Sequence, residues 1–504
     1  MSFAAPLIAQ DVTLTSRDGS VEIPGTLLGY DGEFYRIRSI YGELTLDGSG
    51  VLCTGPGCPD LDTFVANIRI SGSSVIGEHL IPELIQAFAK QHEFSVDVHR
   101  ADAGKIFELS EIATGQSAAR FTVTLSTSSE GFADLLTEEA DIAMSMRDSL
   151  PQEDEHGIKA GFGSFSDPGH SQVIALDALV PVVSPKNPVH DISPENLAMV
   201  FAGEITNWNI LGGLDAPIIL HLQSKDSGLL HGFNRQIMAS PGRQLADNIY
   251  RHPTTDELVL AVAKDPFAVG LSTLSKHAGI RQLHLVGGCG FRALAEPQAI
   301  KSDDYPLNLP MYLYVRSRRL PAIGREFLRF NRSPDAQTAV LRAGFIDQTI
   351  SRTAIGQQGN RLANAIHAAG DEIKLPELKR LVGAMDGARR LSVTFRFDDG
   401  SSRLNAQSRS NIALLAHALE TGGISAKNLI FVGFSDGEGS ADANQKLSKN
   451  RAASVRTAVL QQAAAADPGR VSIGIEGFGE ALPMACDDTD WGRQINRRVE
   501  VWVR

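Results

Sequence analysis

The feature that most restricts this chain is a change of hydrophobic period along its length. From Asn67 to about Ser351, short apolar runs alternate with segments of helical period: Asn67-Ile68-Arg69-Ile70 precedes a stretch whose apolar residues are Ile81, Leu84, Ile85 and Phe88. Such alternation predicts an α/β layout with helices covering a sheet. Before it, Val12-Thr13-Leu14-Thr15 and Glu43-Leu44-Thr45-Leu46, punctuated by Arg17-Asp18-Gly19 and Tyr30-Asp31-Gly32, predict a small β module. After it, Gly356-Gln357-Gln358-Gly359-Asn360 starts a helical connector that runs toward Leu381. The last segment opens and closes with strands, Leu391 to Phe397 and Val499 to Val503, which bracket two helices and two more strands. The expected organisation is multidomain α/β: a β module over 1–66, an α/β domain over 67–352, a helical linker over 353–386, and an α+β domain over 387–504 in the order β-α-β-α-β-β, with helices on one face of its sheet.

At 504 residues, 43% of them apolar, the chain exceeds what one core organises and has material for several. A net charge of −12, without a run of Lys and Arg interleaved with aromatics, excludes nucleic acid as an expected partner. No stretch approaches the ~18–20 uninterrupted apolar residues of a membrane span, so any tie to a membrane or wall is expected to be peripheral. The N-terminal Met1-Ser2-Phe3-Ala4-Ala5-Pro6 resembles the small-residue tail near a signal cleavage site, so an export signal is expected to have been removed. Cys53 and Cys58 bracket a Thr-Gly-Pro-Gly turn and are expected to form a local disulfide in an oxidising compartment. A zinc half-site of that spacing would need two further ligands nearby, and none answers it. Cys289 and Cys486 lie in different expected domains and read as lone thiols.

In the last segment a buried strand, Leu429 to Phe434, emerges into a Gly-rich loop holding Asp436. Ser448 then reads as the cap of a helix with apolar residues Val455, Val459 and Leu460, which places Arg451 in its first turn. Free backbone N–H groups and a guanidinium there make an anion site able to grip a carboxylate, and Asp436 opposite complements an ammonium group. A ligand carrying both groups on one carbon is an amino acid or the end of a diamino acid. The alternative is a surface salt bridge between Asp436 and Arg451, contributing only ~0–1 kcal/mol.

The whole segment resembles the OmpA-like domain. Phe434-Ser435-Asp436-Gly437 stands where that family has a Thr-Asp-containing loop, Asn444 and Leu447-Ser448-x-x-Arg451-Ala452 match its second block, and Gly492-Arg493-x-x-Asn496-Arg497-Arg498-Val499-Glu500 matches its third. The resemblance implies that Asp436 and Arg451 clasp the free end of diaminopimelate in the peptide stem of peptidoglycan, with Asn444 in the site and Asn496 and Arg497 shaping it from the last strand.

Three loops of the middle segment share one chemistry: Ser71-Gly72-Ser73-Ser74, Ser126-Thr127-Ser128-Ser129-Glu130-Gly131 and Ser224-Lys225-Asp226-Ser227-Gly228 each follow an expected strand and precede a helix. Hydroxyls and free N–H groups at helix N-termini bind oxyanions, although each loop alone reads equally as an ordinary Ser cap. Together they resemble the phosphate-binding protein of ABC importers, a two-lobed type II periplasmic binding fold. Ala140-Asp141-Ile142-Ala143-Met144-Ser145-Met146-Arg147, Phe201-Ala202-Gly203-Glu204-Ile205-Thr206-Asn207-Trp208 and Ala268-Val269-Gly270-Leu271-Ser272 add to the match. The implied oxyanion site is Ser73, Ser74, Ser128, Ser129, Arg147, Ser227 and Gly228, with phosphate as the expected ligand and sulfate or a phosphonate as alternatives. Arg147 stands where many phosphate receptors place Asp, Gln223 where they place Arg, and Leu229 replaces a Thr. An Arg in that lobe offers a fork to an oxyanion; its other reading is a structural salt bridge.

A phosphate-cradling Gly-x-x-x-x-Gly-Lys loop, a His-Glu-x-x-His helix and paired Cys-x-x-Cys are missing from the sequence, and no nucleophile elbow is read from it, so no enzyme, metal or cofactor is expected. The 13 His residues are scattered, and His79, His170 and His231 near the loops read as solvated or core residues. Two functions follow: a periplasmic solute-binding protein anchored non-covalently to peptidoglycan, serving an ABC permease or a sensor, or a wall-anchored structural protein whose binding fold has lost its ligand.

Overall fold

The computed structural model describes residues 11–504 apart from 62, 225–229, 231, 235–236, 239–242, 317–318, 359–360, 369–372, 398–402, 425–427, 468 and 470. It forms two compact units, one of residues 1–145, 149–170 and 314–339, the other of residues 146–148, 171–313 and 340–504. No described helix is long and apolar enough to cross a membrane.

The first unit begins with the expected β module, five antiparallel strands in the order Gly42–Asp47, Phe34–Ser39, Glu22–Tyr30, Val12–Ser16, Val51–Thr54. Alternate residues Val12 and Leu14 meet Tyr35 and Ile37 in a small core, against which the Cys53–Cys58 disulfide, formed as expected, packs. Further support comes from Arg319 and Arg325, which reach Asp31 and Glu33 of the module. The α/β part of this unit is built on Ala66–Ser73, parallel to both Ser117–Ser126 and Ile142–Ser145, with Gly104–Glu111 and Phe94–Ala101 extending the sheet antiparallel. The helix expected over Ile81, Leu84, Ile85 and Phe88 spans Ile81–Gln91 and buries all four, with Phe88 edge-on to Phe327 and Phe330. Gly72 lies at φ +126°, where a Cβ would sit 2.3 Å from the Met144 carbonyl oxygen. Only glycine fits there, and a Cβ at Gly131, on the helix Ser128–Leu136, would come within 2.9 Å of the Gly72 Cα.

The second unit contains a sheet in the order Tyr250–His252, Ile219–Gln223, Ala268–Thr273, Ser171–Val183, Asn308–Val315. Its C-terminal sheet runs Arg352–Ala354, Arg389–Arg396, Arg498–Val503, Asn428–Phe434, Ser472–Gly477. The helices Ala406–Glu420 and Ala441–Gln462 cover one face, setting Leu415, Val455 and Val459 on Val393, Phe431 and Val501.

Helices on one face only was the expectation, and the structure corrects it. Val432, Phe434 and Trp502 point to the opposite face, where Ala365 of helix Arg361–Ala368 and Leu381 and Met385 of helix Leu375–Met385 bury them. The segment expected as a helical linker is thus helical, but it is a packed layer of the domain. A charge cluster pins it: fully buried Glu500 accepts from Arg361 Nη2 at 2.5 Å, Arg498 Nε at 2.7 Å and Trp502 Nε1 at 3.0 Å.

Arg390 and Arg396 extend these ion pairs to Asp304 and Asp303, in the turn before Asn308–Val315. Beside them lies the second correction. Cys289 and Cys486 are not lone thiols but a disulfide across 197 residues, with Cα atoms 5.6 Å apart. Close approach is possible because Gly287 presents no side chain to Cys486, while the Gly288 N–H donates to Asp488 at 3.0 Å. A crosslink closing so long a loop stabilises by roughly 3–5 kcal/mol in chain-entropy terms. The double variant Cys289→Ser/Cys486→Ser should therefore unfold at clearly lower urea, by tryptophan fluorescence, with the gap to wild type vanishing in reductant.

Candidate functional site

The sequence names two groups of side chains, one in the C-terminal domain and one in the middle segment. In the C-terminal group, the strand Asn428–Phe434 delivers Asp436 to a loop where it is only 6% exposed and accepts from Arg497 Nη1 at 2.8 Å. Arg451 is not in a first turn, which corrects the sequence reading. Its helix starts at Ala441, capped by Ser440 through the Ala443 N–H, so Arg451 lies about three turns in and gains nothing from the free N–H groups of the helix end. Ser448 is no cap either: it is fully buried, donates to the Gln445 carbonyl at 2.9 Å and accepts from the Gly479 N–H at 3.0 Å.

What Arg451 has instead is partial burial beside a second cation. Its Cζ lies 5.2 Å from the Phe397 ring centroid, and its Nη1 finds no hydrogen-bond partner among the described residues. Burial and then the Arg497 charge weaken its hold on its proton, while Asp436 opposes them. Asn444, 4% exposed, donates to Glu480 at 3.0 Å. Asn496 and Arg497 precede the last strand rather than lying in it; Asn496 accepts from the Met484 and Ala485 N–H groups and donates to Asp487 at 2.8 Å. Asp487 also accepts from the Gly437 N–H at 2.8 Å and so braces the Asp436 loop. The sequence reading missed Asp487 and Glu480, whose one available signal was proximity to the third matching block.

In the first unit two of the three Ser loops come together. Parallel pairing sets Ser73 opposite Ser126, so both loops leave the same sheet edge. Ser73 is buried and Ser74 exposed, just before a π-helical turn, Ile76–Leu80. Thr127, not a Ser, caps the second helix, in a box with Glu130, which leaves Ser128 and Ser129 as its first two residues. In the second unit Arg147 is 9% exposed and donates from Nη1 to the Asp148 carbonyl at 3.0 Å. The third loop's Ser224 donates to the His252 carbonyl at 3.3 Å, while Ser227, Gly228, Leu229 and His231 lie outside the described residues. No group of three or more His, Cys, Asp or Glu that could hold a metal ion occurs among the described residues.

Comparison with known proteins covers the segments that carry both groups. Residues 59–335 match the family described as PBP superfamily domain, and residues 396–497 match the OmpA family. The chain is 35% identical over 226 residues to the phosphate-binding protein PstS of Borreliella burgdorferi, covering 44% of this chain and 76% of that one. It is 26% identical over 191 residues to PstS of Bacillus subtilis, covering 37% of this chain and 61% of that protein, so it spans less than two thirds of that relative. Its C-terminal part is 35% identical over 114 residues to outer membrane porin F of Pseudomonas aeruginosa, covering 23% of this chain and 31% of the porin. With more than half its length in the match, the chain belongs to the PBP superfamily, and it carries a C-terminal domain of the OmpA family.

Proposed function

We propose that the protein is a periplasmic solute-binding protein for phosphate or a similar oxyanion, held non-covalently on peptidoglycan by its C-terminal domain. The observation that carries the reading is the buried carboxylate of Asp436 beside two guanidinium groups, Arg451 and Arg497. Asp436 complements an ammonium and Arg451 a carboxylate, the two charges on the free end of diaminopimelate. On ligand binding the Arg497 contact to Asp436 is shared with the incoming ammonium, and Asn444 holds the loop through Glu480. Similarity to two proteins named phosphate-binding, together with the Ser73 and Ser126 loops at one sheet edge, supports the solute half. An ABC permease is the partner such a receptor would serve.

The second reading is a wall-anchored scaffold that has lost its solute. It is favoured by Gln223, whose amide is tied locally to Thr255 Oγ1 where phosphate receptors are expected to present an Arg. Isothermal titration of the full chain with phosphate and sulfate separates the two. Saturable 1:1 heat with phosphate, weakened at least about tenfold by Arg147→Ala through loss of a charge-assisted fork, is the expected result. Absence of heat with every small oxyanion would sink the receptor reading.

A further inference from the structure

We propose a separate ligand site inside the first unit: a cavity of about 650 Å³ between the β module and the adjoining α/β part, which takes a small organic monoanion, a carboxylate carried on an apolar body. Its volume lies within the range of small-molecule pockets. Tyr30, Phe34 and Arg36 come from the module side, and Arg69, Phe162 and Arg316 from the other. Tyr30 and Phe64 meet edge to face at 5.2 Å, and with Leu320 and Pro321 they give the cavity an apolar wall.

The charged lining does not close on itself. Arg69 takes both oxygens of Asp141, at 3.1 and 2.9 Å. Arg319 lies 3.9 Å over the Phe34 ring and is committed to Asp31 at 3.2 Å and to Glu33. Arg316, 4% exposed, is left with an Asp141 already engaged by Arg69 and with a half-exposed Glu138, each at 3.4 Å, while its Cζ faces the Phe162 ring at 5.3 Å. Nη1 of Arg316 has only the Glu138 carboxylate, 3.4 Å away and outside hydrogen-bond geometry, and the buried Nε of Arg36 has no hydrogen-bond partner among the described residues. A buried charged donor without an acceptor is costly, and a carboxylate is the acceptor whose two oxygens fit a guanidinium fork.

The charge count selects a monoanion. Four lining guanidinium groups, Arg36, Arg69, Arg316 and Arg319, face three lining carboxylates, Asp31, Glu138 and Asp141, so four minus three leaves one positive charge. A dianion would bury a net negative charge instead.

The test is calorimetry of the full chain with 4-phenylbutyrate as probe and 4-phenylbutylamine and inorganic phosphate as comparators. One saturable site for the acid is expected, with no heat from the amine in the same range and no displacement of the acid by phosphate. Arg316→Met and Arg36→Met should each weaken the acid at least tenfold. Because Arg316→Met removes a buried partner of Asp141 and risks misfolding, Arg36→Met, at a half-buried strand position, carries the test, with unliganded melting curves confirming its fold. No saturable heat from the acid, equal heat from the amine, displacement by phosphate, or wild-type affinity in a folded Arg36→Met would each overturn the assignment.

Discussion

Asp436→Ala and Arg451→Ala should each release the protein from purified peptidoglycan in a co-sedimentation assay that retains the wild type. Each removes one charged partner of the proposed zwitterionic ligand. A hydrogen bond to a charged group contributes roughly 1.5–3 kcal/mol, which corresponds to about 10- to 150-fold in affinity. Asp436→Ala acts twice, because it also removes the acceptor that Arg497 reaches at 2.8 Å and leaves two guanidinium groups facing each other. Asp436→Asn keeps the volume and removes the charge; it should bind as poorly as the alanine variant. Retention of both alanine variants at the wild-type level would refute the assignment.

Glu500→Gln should destabilise the C-terminal domain by roughly 3–5 kcal/mol, the cost of leaving buried cations without their counter-ion. Glu500 is fully buried, and burial alone would raise its pKa, but Arg361, Arg390 and Arg498 outweigh burial and hold it below the usual glutamate range. The folded-state value is therefore lower than the unfolded one. The stabilisation is complete above the ordinary glutamate pKa of about 4.3 and is lost as pH falls below it. Urea midpoints followed by tryptophan fluorescence should separate wild type and variant widely at about pH 7 and much less at about pH 3. Trp502, bonded to the same carboxylate, is a direct reporter. A constant gap across that range would mean that Glu500 is not what holds the cluster together.

The alternation of Leu391 to Phe397 and the strand–helix rhythm from Ile68 onward were legible because hydrophobicity tracks burial there. It fails along the helix Ala441–Gln462, whose buried face begins with Asn444 and Ser448 before reaching Ala452, Val455 and Val459. A period read from apolar residues starts that helix too late, and the first-turn argument for Arg451 fell with it. The true start was marked by Ser440 and by Asp442 in the first turn, a capping signal eight residues before the one chosen. The identities of Asp436, Arg451, Asn444 and Arg497 came from ordered motif blocks and did not depend on that boundary. The Cys289–Cys486 pairing depends on which loops meet across 197 residues, which no local pattern encodes. The second face of the C-terminal sheet was hidden because the helices that cover it contribute only a few buried side chains, Ala365, Leu381 and Met385 among them.

Residues 353–386, fully extended, would span roughly 110–120 Å, enough slack for a captured head to search a wide volume. Folded against Phe434 and Trp502, and bypassed by a covalent sulfur bridge, they give no slack. A pull on the loop of Asp436 is carried through packed side chains and that bridge into the turn of Cys289, between the strands His284–Val286 and Arg292–Ala293, as in a bolted bracket rather than a mooring line. On the proposed anchoring, a partner has to come to where this domain is fastened.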